Sequence, residues 1–295
     1  MSGQLKTLTI ISGKGGTGKT SLAASFAVLA APSVIADCDV DAANLHLVLA
    51  PEVRERHDFY AMPAAKIREQ DCSACGTCYD LCQFDAIVVE EGSPPRYSVD
   101  PLACEACLVC REFCPESAID AVPRKAGEWF ISEARTGPMI HAHLGIAQEN
   151  SGKLVTEVRK AATRLAQERG LDRVIVDGPP GIGCAVIASL TGADQVVAVT
   201  EATPSGLSDL VRVHDLAKHF QIPLQVIINK SDLNAGVAAE IRDWARNSGV
   251  PVLGELPYDP EVTRAMLEGK TVAEWKTTPL SDKLREIWDR LDHAG

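Results

Sequence analysis

The sequence predicts an α/β fold in which a mostly parallel sheet is flanked by helices, with a small α+β domain inserted into one loop. Three observations predict this fold. Short apolar runs alternate with stretches of helix-forming composition, and a glycine-rich segment separates the first run from the first helix. In addition, eight of the ten cysteines fall between Cys72 and Cys114.

Five short apolar runs are the candidate strands of the sheet. They are rich in β-branched residues and lack polar alternation, so both faces of each strand are expected to be covered. The runs are Leu5–Ile11, Val34–Asp37, Arg173–Asp177, Gln195–Thr200 and Leu224–Asn229. The helical stretches are Lys19–Ala31, Lys153–Arg169, Ser205–Phe220 and Val237–Asn247. Strands that alternate with helices indicate βαβ units and parallel strands.

The middle of the chain has no long helical period and contains an internal repeat. Residues 72–87 align with residues 104–119 at an offset of 32 positions, including the Ala-Ile pair that ends each segment. The connection between the copies has Gly and Pro turn residues at its centre. We therefore predict a discontinuous main domain, residues 1–59 and 123–295, and an inserted domain, residues 60–122, at a surface loop.

The composition argues against several kinds of partner. The chain has 295 residues and a formal net charge of −11, which disfavours nucleic acid and anionic lipid. No apolar run reaches the ~20 residues that cross a bilayer, and the first residues show no cleavable leader pattern. We expect a cytoplasmic protein without nucleic acid or stable membrane binding, whose reduced, clustered cysteines bind metal.

The segment Gly13–Thr20 fits the phosphate-loop pattern G-x-x-x-x-G-K-[ST]. Glycines let backbone N–H groups surround phosphates, and the following helix presents its positive N-terminus. Lys19 is placed to reach the β- and γ-phosphates, and Thr20 to place a hydroxyl on Mg²⁺. A position between a strand and a helix distinguishes the motif from a chance glycine-rich turn. The predicted nucleotide-binding residues here are Gly13, Lys14, Gly15, Gly16, Thr17, Gly18, Lys19, Thr20 and Ser21.

Lys14, one residue after the first glycine, makes the loop unusual. Residues 14–20 resemble the deviant Walker A motif of the MinD/ParA/Mrp superfamily of P-loop ATPases, which includes the nitrogenase iron protein. In that superfamily the early lysine contacts the nucleotide of a neighbouring subunit. The resemblance therefore implies a P-loop NTPase fold, ATP hydrolysis and a homodimer that forms on ATP binding. A solvated Lys14 is the alternative.

Two acidic segments match the same superfamily. Residues 37–44 resemble its switch I, in which Asp39 would orient the attacking water and contact the Mg²⁺ shell. Residues 176–181 resemble switch II, with Asp177 at the Walker B position and a backbone N–H of Gly181 for the γ-phosphate. Carboxylates at strand ends are also common caps, so the assignment depends on the three segments occurring in order. The implied catalytic residues are Lys14, Lys19 and Asp39.

Two later segments resemble the loops that bind the base in this superfamily. Asn229 follows a strand and begins the tetrapeptide Asn-Lys-Ser-Asp, and the asparagine at this place reads adenine in MinD-like proteins. The tetrapeptide also fits a guanine-reading pattern of GTPases, so GTP is the alternative to ATP. Pro257 and Asp259 match a later loop that flanks the base.

Each cysteine run has the spacing C-x₂-C-x₂-C-x₃-C, and the second is followed by Pro115. This pattern resembles the bacterial two-cluster ferredoxins, in which the fourth cysteine of one run ligates the other cluster. Gln83 replaces the usual proline after the first run, and structural zinc is the alternative. The resemblance implies one [4Fe–4S] cluster on Cys72, Cys75, Cys78 and Cys114. It implies a second [4Fe–4S] cluster on Cys104, Cys107, Cys110 and Cys82.

The remaining cysteines, Cys38 and Cys184, stand outside the runs and are expected to be small buried hydrophobic residues. Residues 72–120 contain nine acidic residues, two arginines and no lysine. This charge predicts a docking surface for a basic redox partner or iron–sulfur acceptor. A solvated acidic face is the alternative.

The motifs together resemble a MinD-superfamily ATPase that contains an inserted two-cluster ferredoxin domain. The resemblance implies ATP or ADP, Mg²⁺ and two [4Fe–4S] clusters as cofactors, with the nucleotide state coupled to electron transfer or partner binding. Two alternatives remain open. One is an iron–sulfur carrier or assembly ATPase of the Mrp/ApbC type, and the other is a MinD-like positioning or complex-organising ATPase.

Membrane binding by a MinD-like ATPase normally needs a basic amphipathic tail. The candidate helix at residues 280–295 carries three basic and four acidic residues on its polar side, so it would gain little from anionic lipid. We therefore expect its apolar stripe to pack on the ATPase core. The stripe consists of Leu280, Leu284, Ile287, Trp288 and Leu291.

Overall fold

The computed structural model describes residues 4–145 and 151–293. Its strands are β1 Lys6–Ser12, β2 Val34–Asp37, β3 Glu52–Tyr60, β4 Ala64–Ile67, β5 Ile87–Glu90, β6 Arg96–Val99, β7 Ile119–Val122, β8 Lys125–Ala134, β9 Gly137–Leu144, β10 Arg173–Pro180, β11 Gln195–Glu201, β12 Leu224–Asn229 and β13 Val252–Leu256. Its α-helices are α1 Lys19–Leu29, α2 Leu45–Leu49, α3 Thr77–Leu81, α4 Val109–Glu112, α5 Ser151–Arg169, α6 Cys184–Leu190, α7 Pro204–His219, α8 Ala235–Asn247, α9 Glu261–Leu267, α10 Val272–Trp275 and α11 Pro279–His293.

Nine strands form one sheet in the order β13-β12-β11-β1-β10-β2-β9-β8-β3. The successive pairs from β13 to β9 are parallel, with β1 at the centre of this parallel part. In β1 only the first residue, Lys6, is exposed, as expected of a strand covered on both faces. The prediction of an α/β P-loop fold with a mostly parallel sheet flanked by helices is confirmed.

The structure adds four strands of this sheet that the sequence pattern does not predict. These are β3, β8, β9 and β13. β3 is largely charged and exposed, so it offers no apolar run. In β13, Gly254 and Glu255 interrupt the apolar run. Gly254 lies so close to α11 that an added Cβ would meet the side chain of Ile287 at 2.6 Å.

Helix α11 packs on the core, as predicted. The five apolar stripe residues are buried, namely Leu280, Leu284, Ile287, Trp288 and Leu291. The Trp288 ring lies 5.4 Å from the ring of Phe26 in α1, and the Arg173 guanidinium lies 5.0 Å from the Trp288 ring. Within residues 4–145 and 151–293, no helix has the length and apolar character that a bilayer crossing requires.

The chain divides into two compact units. Unit 1 comprises Met1–His57, Trp129–His143 and Ser151–Gly295, and unit 2 comprises Asp58–Glu128 and Leu144–Asn150. Unit 2 contains two small antiparallel sheets, β4 with β7 and β5 with β6, together with the short helices α3 and α4. Its cluster of buried residues consists mostly of small side chains, namely Ala64, Ala65, Ala86, Cys104 and Ile119.

Candidate functional site

The phosphate loop joins β1 to α1 and takes its shape from its glycines. Gly16 and Gly18 have φ angles of 80° and 89°, a left-handed backbone that residues with a Cβ rarely adopt. A Cβ on Gly13 would lie 2.3 Å from the Cβ of Asp209. Backbone conformation or close packing therefore requires glycine at three positions of the predicted motif.

The carbonyl groups of this loop are held from the end of β12. Asn229 donates from Nδ2 to the Thr17 oxygen at 2.7 Å, and Lys230 donates from Nζ to the Gly16 oxygen at 2.9 Å. A phosphate loop binds anions through its N–H groups. Hydrogen bonds from Asn229 and Lys230 that hold the loop carbonyls therefore favour anion binding. Asn229, predicted to contact the base, thus also contacts the loop itself.

Lys19 begins α1, is buried, and lies beside the buried Asp177 and the half-buried Asp39. Its Nζ is 2.6 Å from Asp177 Oδ1 and 3.6 Å from Asp39 Oδ2. Burial lowers the pKa of Lys19, but the attraction of Asp177 and then of Asp39 outweighs burial and raises that pKa above its ordinary value. The fold therefore brings together one residue from each of the three predicted nucleotide segments.

Two buried oxygens in this region have no hydrogen-bond partner among the described residues, Asp177 Oδ2 and Thr17 Oγ1. Leaving a buried polar group unsatisfied costs ~1–3 kcal/mol. Oxygen ligands are those that Mg²⁺ prefers, and it usually keeps nucleotide phosphates among them. The oxygens of Asp177 and Asp39, with the half-buried Thr20 hydroxyl, therefore form a donor set that fits a magnesium nucleotide.

Asp37, the last residue of β2, organises the segment that follows it. Its Oδ1 accepts a hydrogen bond from the Asp39 N–H at 3.2 Å, and its Oδ2 accepts one from the Leu45 N–H at 3.3 Å. Burial, and then repulsion from Asp177, raise the pKa of Asp37 well above its ordinary range. Asp37 thus closes the predicted switch I segment into a turn that presents Asp39 to Lys19.

Lys14 is held by its own chain. Its Nζ lies 3.1 Å from Glu201 Oε2 and within hydrogen-bond distance of Thr203 Oγ1 (3.3 Å) and Ser205 Oγ (3.2 Å). An ammonium group has three protons, so these contacts occupy its donors. Glu201, Thr203 and Ser205 lie outside the predicted sequence motifs. The sequence feature that could have indicated Glu201 is its position at the end of a buried strand, because polar groups of a site lie together where parallel strands end.

Gly181 follows β10 with a left-handed φ of 94°. Its N–H donates to the Ser12 carbonyl at 2.8 Å, and the Cys38 N–H donates to the Asp177 carbonyl at 2.8 Å. These bonds join the ends of β1, β2 and β10. The γ-phosphate contact predicted for the Gly181 N–H would require its bond to Ser12 to open.

A cavity of about 230 Å³ adjoins the phosphate loop. Three residues predicted near the base, Asn229, Pro257 and Asp259, line it together with Gly18 and Ser21. Mostly apolar walls with a few polar groups suit the flat face of a base. The apolar residues of the cavity include Leu22, Val48, Leu256, Val262, Met266, Leu280 and Leu284.

Two carboxylates near this cavity bind the backbone. Asp232, the last residue of the Asn-Lys-Ser-Asp segment, accepts from the Tyr258 N–H at 2.7 Å. Asp259 accepts from the Glu261 N–H at 2.9 Å, at the start of α9. Asp232 is the residue that a guanine-reading site would direct at the base, whereas here one of its oxygens holds the 257–259 loop.

The eight clustered cysteines of unit 2 line two small cavities. The first cavity is lined by Cys72, Cys75, Cys78 and Cys114. The second is lined by Cys82, Cys104, Cys107 and Cys110. Each cavity thus collects three cysteines from one run and the last cysteine of the other run.

The backbone of unit 2 repeats at the same offset as its sequence. Left-handed residues occur in pairs separated by 32 positions, namely Ala74 with Ala106, Gly76 with Leu108 and Asp85 with Ser117. Hydrogen bonds to sulfur repeat as well, because the Ala86 N–H donates to Cys82 Sγ at 3.4 Å and the Ala118 N–H donates to Cys114 Sγ at 3.3 Å. The two cysteine segments therefore share one local fold.

The two lone cysteines differ from each other. Cys38 is fully buried, and burial raises its pKa well above the ordinary value, as expected of a small hydrophobic residue. Cys184 is exposed, so the expectation that it is buried is wrong. Cys184 is the first residue of α6 and follows the glycine-rich turn of 181–183.

The parallel sheet, the phosphate loop and the adjoining base-sized cavity define a P-loop ATPase. The sequence family described as the CobQ/CobB/MinD/ParA nucleotide binding domain matches residues 8–272. Because this match covers most of the chain, the chain belongs to that family. The MinD/ParA part of the superfamily prediction, and ATPase activity, are thereby confirmed.

Three known proteins illustrate the relationships. An uncharacterized protein of Methanocaldococcus jannaschii is 29% identical over an alignment of 295 positions, which covers 98% of this chain and 97% of the relative. The septum site-determining protein MinD complexed with Mg-ADP, from Pyrococcus horikoshii, shares the fold with a TM-score of 0.60 and 18% identity, over 99% of this chain and 98% of that chain. One component of the Na⁺-translocating ferredoxin:NAD⁺ oxidoreductase complex of Acetobacterium woodii is 46% identical over 52 residues, which are 18% of this chain and 15% of that protein.

Proposed function

We propose that this ATPase is an iron–sulfur protein whose residues 60–122 form a bacterial-ferredoxin-like domain with two [4Fe–4S] clusters. In this proposal the nucleotide state of unit 1 is coupled to electron transfer or partner binding through the clusters. The single observation that carries the proposal is the division of eight cysteines between two cavities, with one cysteine exchanged between the runs.

The donor chemistry of each cavity fits a cubane cluster. Such a cluster takes four thiolates, one for each iron, and the sharing of the fourth cysteine is the two-cluster ferredoxin arrangement. The N–H groups of Ala86 and Ala118 point at ligand sulfurs, and such hydrogen bonds tune cluster potentials. When bound, the clusters supply one-electron redox chemistry. The chain's own residues hold the clusters, shield them and direct hydrogen bonds to their ligands.

Structural zinc fits the cavities less well. A single Zn²⁺ needs four donors at ~2.0–2.3 Å from one point. Among residues 4–145 and 151–293, no three His, Cys, Asp or Glu side chains are gathered closely enough to hold one metal ion. Thiolates around a cubane lie farther apart, because iron and sulfide ions separate them. The 52-residue likeness to a component of a ferredoxin:NAD⁺ oxidoreductase complex also favours iron–sulfur chemistry.

The nucleotide in this proposal is ATP, which is hydrolysed by water to ADP and phosphate, with Mg²⁺ near Thr20 and Asp39. The engagement of Asp232 with the Tyr258 N–H supports ATP over GTP. A homodimer formed on ATP binding would require Lys14 to leave its contacts with Glu201, Thr203 and Ser205 and turn to the second copy. Lys14 therefore acts as a switch between two hydrogen-bonded positions.

The partner in this proposal is a basic redox protein or iron–sulfur acceptor. Unit 2 carries the acidic excess of residues 72–120, and large apolar side chains are exposed on its surface. The most exposed of these are Leu102, Phe113 and Tyr79. Acidic charge steers and orients a basic partner, whereas exposed apolar groups contribute binding free energy once contact is made.

Anaerobic purification tests the proposal directly. We expect about eight iron and eight inorganic sulfide ions per chain, as two cubane clusters require. Cys78→Ser and Cys110→Ser should each lose roughly half of the iron, because each removes one ligand of one cavity. Cys184→Ser, outside both cavities, is the matched control and should keep full iron content. A colourless protein, or one that contains zinc without sulfide, contradicts the proposal.

A MinD-like positioning or complex-organising ATPase is the second candidate, and the likeness to MinD favours it. That function does not need the cysteines, so it predicts that an iron-free protein retains its partner interactions. An anaerobic pull-down with and without a nonhydrolysable ATP analogue, using wild-type and Cys78→Ser proteins, separates the two. Transfer of iron and sulfide to an added apo-ferredoxin would instead favour an assembly ATPase of the Mrp/ApbC type.

A further inference from the structure

Glu201 ends β11 and lies between two lysines. Its side chain is nearly buried, Oε1 accepts from Lys230 Nζ at 2.5 Å, and Oε2 lies 3.1 Å from Lys14 Nζ. Burial alone would raise the pKa of Glu201, but the hydrogen bonds from Lys230 and Lys14 outweigh burial and lower it. The carboxylate is therefore ionised at neutral pH and holds both lysines.

Lys230 connects this carboxylate to the phosphate loop. Its Nζ donates to the Gly16 carbonyl at 2.9 Å as well as to Glu201. Its backbone is left-handed, with a φ of 50°, in the turn after β12. This conformation is unfavourable for a lysine, because its Cβ lies close to the backbone carbonyl oxygen. The contacts of its side chain with Gly16 and Glu201 offset part of that cost.

The orientation of the Gly16 carbonyl determines where the next N–H points. The Gly16 C=O and the Thr17 N–H belong to one planar trans peptide and point in opposite directions. When Lys230 fixes the carbonyl on the outer side of the loop, the Thr17 N–H must face the inner side. Asn229 acts likewise one peptide later, because it holds the Thr17 carbonyl and so directs the Gly18 N–H.

We propose that Glu201 is a positioning residue of the ATPase reaction, which acts through Lys230 to hold the Gly16–Thr17 peptide with its N–H toward the nucleotide phosphates. Glu201 touches neither nucleotide nor water in this role. Its contribution depends on Lys230, so removing Glu201 should matter only while Lys230 is present.

A double-mutant cycle on the full-length protein tests this dependence, with ADP affinity measured by titration calorimetry. Lys230→Met should weaken ADP binding about tenfold, the loss expected for one hydrogen bond from a charged group. Glu201→Gln should weaken it about threefold or more, since the amide still accepts a bond but lacks the charge. The double variant should bind no more than about twofold more weakly than Lys230→Met, because the two residues act as one unit.

Controls separate positioning from general stability. Glu133→Gln removes a carboxylate whose ion pair with Arg169 lies elsewhere in unit 1, at 2.5 Å, and should leave ADP affinity unchanged. Lys230→Arg keeps the charge and should restore most of the affinity lost in Lys230→Met, even if Glu201→Gln folds poorly. ADP affinity unaffected by Glu201→Gln, losses that multiply in the double variant, or failure of Lys230→Arg to restore binding would overturn the proposal.

Discussion

The two units of this chain reach a stable structure by different means. Unit 1 contains the largest fully buried side chains of the described residues, such as Phe26, Ile35 and Met139. The centre of unit 2 is built from alanines, one isoleucine and cysteines that line its two cavities. Unit 1 is therefore stabilised by apolar burial, whereas the described residues of unit 2 bury few large side chains, such as Phe59, Ile87 and Ile119. Unit 2 would therefore depend on the clusters that we propose for its cysteines. This difference predicts that the units respond to separate perturbations.

Of three perturbations, removal of the proposed clusters should reduce stability most, and only the stability of unit 2. Chelation of iron under oxidising conditions takes away the links that replace an apolar core, as it does in other small metal-dependent domains. We expect backbone amides of residues 64–122 to lose most of their protection from hydrogen exchange, while amides of β1, β10 and β11 keep theirs. Protection in unit 2 that survives complete removal of iron would show that its apolar contacts suffice.

A cavity made in the core by mutation should reduce stability by an intermediate amount, and only the stability of unit 1. Ile287→Ala empties the space in which α11 packs against β13, and large-to-small changes of this kind cost ~2–5 kcal/mol of unfolding free energy. Leu267→Ala is the matched control, because Leu267 is 82% exposed and its truncation should cost less than ~0.5 kcal/mol. Denaturant unfolding measures both variants. Equal stability of the two would contradict the packing described for α11.

Of the three perturbations, acidification should reduce the stability of unit 1 least. Burial, with added repulsion from His46 and His143, lowers the pKa of His141 to about 4, and its Nε2 lies 2.9 Å from Ser132 Oγ. Between pH 6.5 and 4 the unfolded chain binds more protons at this position than the folded chain. Stability contributed by neutral His141 is therefore present at pH 7 and declines as the pH falls below 6.5.

Thermal unfolding at pH 7.5 and 5.5 measures this decline. The wild-type melting temperature of unit 1 should fall by ~2 °C over this range because of His141, a modest value since the ring is only partly buried. His141→Gln removes the titrating group and should show a correspondingly smaller fall. A pH dependence that is identical in the two proteins would contradict the role assigned to His141.

Prediction from sequence succeeded where one local rule decides the structure. The runs at β1, β2 and β10–β12 are apolar because both faces are covered, and that property is visible in the letters. The charged strand β3 and the strands β8 and β9 carry no such signal, because their place in the sheet depends on pairing with distant segments. Cys184 illustrates the same limit, since its exposure depends on the turn before α6 and not on its residue type.

The candidate sites show the same difference between features set by local sequence and features set by contacts with distant segments. Glycine spacing indicates the phosphate loop because the backbone there needs φ angles that other residues rarely adopt. The contacts of Lys14 and Lys230 with Glu201 could not be predicted, because they join the ends of three strands that are far apart in sequence. The shared offset of 32 residues predicted the repeat in unit 2, and the left-handed pairs give that repeat its physical basis.

The wall of the nucleotide cavity has a consequence for biosynthesis. Leu280 and Leu284 of α11 line the same cavity as Gly18 and Ser21, which stand near the beginning of the chain. A ribosome that has completed the phosphate loop must therefore translate almost the whole of unit 1 before the base has an enclosing surface. We expect nascent chains that stop before α11 to hold nucleotide weakly, so that ATP is not consumed by half-made protein.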